Sequence, residues 1–137
     1  MMVKLVRLNV KNPFFVEPSA GSGSFFNLLN LKKRIGLDIE PKGGDIKKQD
    51  FLKWQYNGKE KDNIVVIGNP PFGKRAKLAI EFFNKSAEFA HTIGFIVPVQ
   101  FKKYSVHSKL NQDFKLIAEK FLPKNSFINE DDRDFNV

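Results

Sequence analysis

The sequence predicts an α/β fold, in which strands and helices alternate to build a doubly wound, mainly parallel sheet. Short apolar runs alternate along the chain with segments of helical period, which is typical of βαβ units. Turns that contain glycine or proline follow the apolar runs. One run, Ile-Val-Val-Ile at residues 64–67, places branched apolar residues in succession, as expected of a strand buried on both faces.

The first two predicted strands are each followed by a turn. Residues 14–16 are predicted as a strand that ends at Glu17 and Pro18, after which a turn with two glycines leads into a helix. The apolar residues of that helix are Phe25, Phe26, Leu28 and Leu29. Residues 34–39 form the second predicted strand, which stops before Pro41.

Three further strands and two helices complete the predicted sheet. The strands are residues 45–46, 64–67 and 93–97, of which the second ends at a proline pair and the third at Pro98. Helical spacing marks one helix with Ala76, Ala79, Phe82, Phe83, Ala87 and Ala90. The same spacing predicts a last helix, for which Ser105 is a candidate N-cap. The apolar residues of this helix are Val106, Leu110, Phe114, Ile117 and Phe121.

Four candidate sites in the sequence each follow a predicted strand. They are residues 17–23, Asp38, Asp50 and residues 69–72. In a parallel sheet, ligands bind beyond the carboxyl ends of the strands, near the point where the strand order switches. We therefore expect these peptides to meet at one edge of the sheet and to form a binding site there.

Composition narrows the class of function. The chain has 137 residues, the size of one domain, and a formal net charge of +8, which favours a polyanionic partner such as DNA or RNA. The absence of cysteine excludes disulfides, thiolate metal sites and cysteine catalysis, and two distant histidines argue against a metal site. No apolar run approaches the roughly 20 residues of a membrane span, and the first residues do not resemble a signal peptide. We expect a cytoplasmic protein without a membrane partner.

Residues 17–25, Glu-Pro-Ser-Ala-Gly-Ser-Gly-Ser-Phe, carry the first motif. A glycine-rich turn after a strand lets the backbone approach a ligand and exposes N–H groups at a helix start. The Gly-Lys-Ser/Thr of a phosphate-binding loop and the third glycine of a dinucleotide-binding turn are both missing. The nine residues resemble the first motif of S-adenosylmethionine-dependent methyltransferases, in the Glu-Pro-x-x-Gly-x-Gly-x-Phe form typical of adenine-N6 enzymes.

That resemblance implies a Rossmann-like sheet of the class I methyltransferase type, with S-adenosylmethionine as the cofactor. The loop residues that it implies as cofactor contacts are Glu17, Pro18, Ala20, Gly21, Gly23 and Phe25. A carboxylate at the end of the second strand can accept hydrogen bonds from both ribose hydroxyls. This role falls to Asp38, with Ile39 beside it as a further cofactor contact and Glu40 as its rival.

Asp50 and Phe51 come shortly after the third predicted strand, residues 45–46. The resemblance implies that Asp50 accepts a hydrogen bond from the cofactor's adenine amino group, while Phe51 packs on the ring. A helix cap followed by a core phenylalanine explains the same two residues equally well.

Residues 69–72, Asn-Pro-Pro-Phe, match the (Asn/Asp/Ser)-Pro-Pro-(Tyr/Phe) motif of enzymes that methylate an amino nitrogen conjugated to a ring or carbonyl. Such a nitrogen is a poor nucleophile because its lone pair is delocalised. The Asn69 side-chain oxygen and the Pro70 carbonyl can accept its two hydrogens, which localises the lone pair for attack on a sulfonium methyl. Pro71 helps to fix the backbone, and Phe72 offers a face on which a flipped base can stack.

The resemblance therefore implies methyl transfer to the N6 of adenine in DNA, with Asn69, Pro70, Pro71 and Phe72 as the catalytic residues. Asn69 also counts among the cofactor contacts. No metal, covalent intermediate or strong general base is required. The cations Lys74, Arg75, Lys102 and Lys103 follow the two last strands and are predicted to contact nucleic acid, although a solvated helix start explains the first two nearly as well.

The resemblance covers residues 14–98, in the motif order of the gamma class. Sheets of that family have seven strands, whereas five are predicted here. We therefore expect residues 1–137 to be a single but partial catalytic domain that lacks the last strands and a target-recognition domain. Three explanations would account for the missing parts. The chain is a fragment of a longer enzyme, a minimal enzyme that another subunit completes, or a decayed copy.

Three alternative functions share parts of the pattern. Enzymes that methylate the glutamine amide of release factors also use Asn-Pro-Pro-Tyr. Their first motif usually reads Asp-x-Gly-x-Gly-x-Gly, whereas this chain has Glu17-Pro18 and Phe25, which favours adenine. RNA adenine stays open as a substrate, because the chemistry of the base is identical. A noncatalytic nucleic-acid-binding subunit with the same fold would not bind the cofactor.

Overall fold

The computed structural model describes residues 12–21, 23, 33–58, 63–117 and 119. The strands are β1 (Phe14–Glu17), β2 (Arg34–Asp38), β3 (Ile46–Lys48), β4 (Ile64–Gly68) and β5 (Thr92–Phe95). The α-helices of this part of the chain are α1 (Lys77–Ala87) and α2 (Tyr104–His107), and 3-10 turns cover Phe51–Lys53, Lys74–Ala76 and Val99–Lys102. The helix predicted to contain Phe25, Phe26, Leu28 and Leu29 lies outside the described residues.

All five strands run parallel in one sheet, in the order β3-β2-β1-β4-β5. The predicted parallel α/β sheet is therefore confirmed, and its order is compatible with a Rossmann-like fold. The chain builds outward from β1 through β2 to β3, and then from β4 to β5 on the other side. The strand order thus switches between β1 and β4, which is where such sheets bind ligands.

Strand β4 lies in the interior of the sheet, with both of its edges paired and both of its faces covered. All of its residues are buried, as its run of branched apolar side chains predicts. Helix α1 covers the sheet by turning Ala79, Phe82 and Ser86 inward, at the three- and four-residue spacing of one helix face. One core cluster of the described residues consists of Val16, Leu37, Phe51, Ile64, Val66 and Phe82.

The last predicted helix is wrong in both its start and its length. Helix α2 begins at Tyr104 with Lys103 in the N-cap position, so Ser105 lies inside it, and it ends at His107. Residues 111–117 are not helical, and Phe121 lies outside the described residues. The side chain of Asn84 accepts from the backbone N–H of Asn111 (2.7 Å) and donates to the carbonyl of Lys109 (2.9 Å). These bonds hold the backbone groups of Lys109 and Asn111 in a non-helical path.

Within the described residues, neither helix has the length and apolar character needed to cross a membrane.

Candidate functional site

The loops that follow β1 and β4 touch at the switch point. The Ser19 hydroxyl donates a hydrogen bond to the backbone carbonyl of Asn69, at 3.1 Å, across fifty positions of sequence. The two motif segments, 17–23 and 69–72, are therefore adjacent, as expected from their positions after neighbouring strands. Pro18, Ala20 and Gly23 are buried in the loop after β1, and Phe25 lies outside the described residues.

The glycine loop is fastened to the end of β2. The Ala20 N–H donates to the Leu37 carbonyl (2.8 Å), and the Gly21 N–H donates to Oδ2 of Asp38 (2.8 Å). Gly21 has a φ of +56°, a left-handed conformation, and a methyl group built at its Cα would meet no atom within 4 Å. This backbone therefore faces open space, which suits the close approach of a ligand.

Asp38 is held in place by backbone donors on both carboxylate oxygens. In addition to Gly21, the Glu40 N–H donates to Oδ1 at 2.8 Å. Each carboxylate oxygen can accept a second bond, so Asp38 keeps acceptor capacity for a ligand. A cleft of roughly 390 Å³ opens beside it, lined by Gly21, Asp38, Ile39, Glu40 and Lys42. Ile39 is 64% exposed there and offers an apolar surface.

Glu17 is a buried carboxyl group without a hydrogen-bond partner for its Oε1 atom. Burial, together with the smaller effect of the nearby charge of Asp38, raises its pKa to about 8. Its Oε2 atom would lie 3.3 Å from a methyl group built on Gly68, whose φ is +153°. A side chain at position 68 would therefore press on Glu17, so the glycine before Asn69 keeps this space open.

Asp50 and Phe51 have the arrangement of a helix cap followed by a core residue. Oδ1 of Asp50 accepts from the Leu52 N–H at 3.0 Å and caps the turn Phe51–Lys53. Phe51 is 1% exposed, and its ring lies 5.2 Å from that of Phe82, centroid to centroid. The structure therefore shows the helix cap and the core phenylalanine, whereas the contact with the adenine of a cofactor stays a prediction.

The Asn-Pro-Pro-Phe segment alternates between solvent and core. Asn69 and Pro71 are exposed, Pro70 is buried and Phe72 is half-buried against a second core cluster of Ala76, Ala79, Phe101 and Val106. The Phe72 carbonyl accepts from the Ala79 N–H at 3.3 Å, which ties the segment to α1. The alternation anchors the loop and leaves the Asn69 side chain accessible.

The four predicted cations are all exposed, and they follow the carboxyl ends of β4 and β5. Lys74 and Arg75 lie in a turn whose backbone is left-handed at Arg75 (φ 53°) and Ala76 (φ 59°). Lys102 forms an ion pair with Glu119, with its Nζ atom 3.0 Å from Oε1. A phosphate at Lys102 would therefore compete with this carboxylate.

Two contributors to this edge were absent from the sequence-based site. Ser19 joins the two motif loops, but a serine at an unspecified motif position gives no signal of that bond. Tyr104 is 85% exposed after β5, and the signal that points to it is the mixture of lysines and aromatic residues over 101–105. Among the described residues, no group of three or more His, Cys, Asp or Glu side chains is arranged to hold a metal ion.

No protein-family model, no curated protein and no solved structure matches this chain.

Proposed function

We propose that this chain transfers a methyl group from S-adenosylmethionine to the N6 amino group of adenine in DNA, in a sheet of the class I methyltransferase type. The observation that carries the proposal is the contact between the two motif loops at the β1–β4 switch point. Ser19 of the first loop donates to the Asn69 carbonyl of the second, so the glycine loop lies next to the segment that carries the exposed Asn69 side chain.

The cleft beside Asp38 suits the nucleoside half of the cofactor. The two oxygens of Asp38, already oriented by Gly21 and Glu40, accept from the ribose hydroxyls. The exposed side chain of Ile39 packs on the adenine ring, which removes apolar surface from water on both sides. The open backbone at Gly21 lets the ligand approach without a steric barrier.

Glu17, which is buried close to Asp38, supports the choice of a positively charged ligand. A buried carboxyl without a partner for Oε1 is costly unless it stays protonated or receives a cation. S-adenosylmethionine carries a sulfonium and an ammonium group, and it would supply an electrophilic methyl group when bound. Pairing with either cation favours the ionised carboxylate, so Glu17 releases its proton when the cofactor binds.

Asn69 and Pro70 act on the amine that receives the methyl group. The exposed Asn69 amide oxygen and the Pro70 carbonyl accept its two hydrogens and localise the nitrogen lone pair. The half-buried ring of Phe72 provides a face against the flipped base. The surplus proton then leaves to solvent, which Asn69 adjoins.

Two other substrates, the glutamine of a release factor and adenine in RNA, also carry an amino nitrogen whose lone pair is delocalised, so Asn69 could activate them in the same way. The Glu17-Pro18 sequence favours adenine over glutamine, because the glutamine enzymes have a different first motif. The exposed cations favour a nucleic acid over a protein substrate, since they suit a phosphate backbone.

A transfer assay tests the proposal. The protein is incubated with tritiated cofactor and, separately, with unmethylated DNA, RNA and a release factor. Label recovered as N6-methyladenine from DNA is expected. Label in RNA or in glutamine would replace the proposed substrate, and no label on any of them would contradict the proposed activity.

A further inference from the structure

The side chain of Tyr104 is largely exposed to solvent at the carboxyl edge of the sheet, where the carboxyl ends of the strands lie. It is the first residue of α2 and is 85% exposed, more than any other large apolar side chain of the described residues. Val99 in the preceding turn is also 54% exposed. Phe101 between them is buried and fixes the segment to the core. Tyr104 is therefore available for contact while its backbone is anchored.

The packing of Phe101 joins two cationic segments into one surface. Phe101 and Val106 pack with Ala76 and Ala79, so the turn and α2 lie against the segment that carries the first pair of cations. We call this the basic edge; its exposed residues are Lys74, Arg75, Val99, Lys103 and Tyr104. Its first two cations come just after the Asn-Pro-Pro-Phe loop in the chain, and its other residues follow β5.

The cations of the basic edge have no acidic partners within the described residues. Neither Lys74 nor Arg75 nor Lys103 forms an ion pair there, whereas Lys102 is paired with Glu119. Free positive charge beside an exposed aromatic ring is complementary to a strand that carries phosphates and base faces. A polyanion without bases, such as heparin, would use the charge but not the ring.

We propose that the basic edge binds single-stranded nucleic acid, with an unpaired base stacked on the ring of Tyr104. In a duplex, each base face is covered by its neighbours, so an exposed ring finds a stacking partner only where bases are unpaired. The inference builds on the proposed function, because it assigns to that site a substrate whose target adenine is already unpaired. The cations hold the phosphates of the same strand.

Fluorescence anisotropy with labelled oligonucleotides tests this surface without requiring catalysis. Single-stranded DNA, single-stranded RNA and duplex DNA of one sequence are titrated with the wild type, Tyr104→Ala and Tyr104→Phe. For single strands, Tyr104→Ala should weaken binding about 5- to 100-fold, and Tyr104→Phe should retain it because the ring remains. The two single-stranded probes show whether DNA or RNA is preferred.

Three results would overturn the inference. They are unchanged single-strand affinity in Tyr104→Ala, an equal loss for duplex and single strands, and an equal loss for heparin, a polyanion without bases. Because Tyr104 is exposed, melting curves of the three proteins should coincide, and circular dichroism checks this. Binding of S-adenosylhomocysteine, measured in parallel, separates the two proposals: its absence counts against methyl transfer, whereas a Tyr104-independent affinity counts against this surface alone.

Discussion

The two halves of the carboxyl edge differ in how their polar groups are held. On the β1–β2 side, Asp38 receives two backbone hydrogen bonds and Glu17 is fully buried, so the groups are fixed before any ligand arrives. On the β4–β5 side, Asn69, Arg75 and Tyr104 are exposed. We infer that the first half suits a small ligand in a preformed cleft, and the second a large partner with its own surface.

The comparison also separates two kinds of backbone. In the loop after β1, the described residues with positive φ are the glycines Gly21 and Gly23, which adopt it without strain. After β4, Arg75 and Ala76 adopt it in addition to a glycine. Non-glycine residues in this region cost on the order of 1–3 kcal/mol each and occur often at functional loops. Substitutions in the two halves should therefore affect different steps, and the expected effects below run from the largest to the smallest.

Asn69→Ala should separate catalysis from cofactor binding most clearly. Loss of one preorganised hydrogen-bonding group typically lowers kcat about 100- to 1000-fold. Affinity for S-adenosylhomocysteine should stay unchanged, because the cleft beside Asp38 is intact. Asn63→Ala, at the opposite end of β4, is the matched control and should keep wild-type kcat. Equal loss of transfer and cofactor binding in Asn69→Ala would mean that the loop is structural.

Glu17→Gln should alter the pH dependence of stability. The carboxyl group has an ordinary pKa of 4.5 and a folded-state pKa of about 8, so between these values only the folded chain holds the proton. The free energy of unfolding should therefore fall as pH rises through this window, by roughly 2–4 kcal/mol in the wild type. Glutamine cannot ionise, so urea unfolding at pH 5, 6.5 and 8 should give a flatter profile.

The exposed Glu40 provides the control for this titration, and Glu40→Gln should keep the wild-type profile. Parallel profiles for the wild type and Glu17→Gln would contradict a protonated Glu17. Calorimetry in buffers of different ionisation enthalpy adds a second measurement. Near pH 7, cofactor binding should release about one proton in the wild type and none in Glu17→Gln.

Asp38→Ala should weaken cofactor binding without a comparable effect on the chemical step. Hydrogen bonds to a charged group contribute about 1.5–3 kcal/mol, so affinity for S-adenosylhomocysteine should fall about 10- to 100-fold. Glu40→Ala in the same cleft should change it little, since Glu40 contributes its backbone N–H to Asp38. If Glu40→Ala has the larger effect, the ribose is bound by the rival carboxylate.

Ser19→Ala should have the smallest effect, because it removes one exposed hydrogen bond between the two halves. A loss of about 1 kcal/mol in positioning corresponds to a kcat decrease of about fivefold. Cofactor affinity should be unchanged, and Ser19→Thr, which keeps the hydroxyl, should restore kcat. A change in cofactor affinity alone would place Ser19 within the cleft and not between the loops.

The strands were predictable from the sequence because each is a short apolar run between turn residues. β4 is the clearest case, since its branched side chains match its buried position on both faces. The non-helical path after α2 was not predictable, because its backbone groups at Lys109 and Asn111 bond to Asn84, which lies far away in sequence. The protonation state of Glu17 was not predictable either, because it depends on the fold. The sequence Glu-Pro does not indicate that this carboxyl group is buried or that its Oε1 atom has no hydrogen-bond partner.

Of the candidate site, sequence order predicted which peptides meet, since carboxyl ends of parallel strands share an edge. It did not predict how they are joined. The Ser19–Asn69 bond and the exposure of Tyr104 both depend on side-chain packing between segments that are distant in sequence. The pattern of Asp50 and Phe51 was compatible with two roles, and burial of the ring supports the structural one.

Calorimetric titration with S-adenosylhomocysteine tests the central claim most directly, because the proposed division of the edge requires a preformed cofactor cleft. The account predicts a saturable single-site isotherm that is retained in Asn69→Ala and weakened in Asp38→Ala. A flat titration of the folded wild-type protein would contradict it.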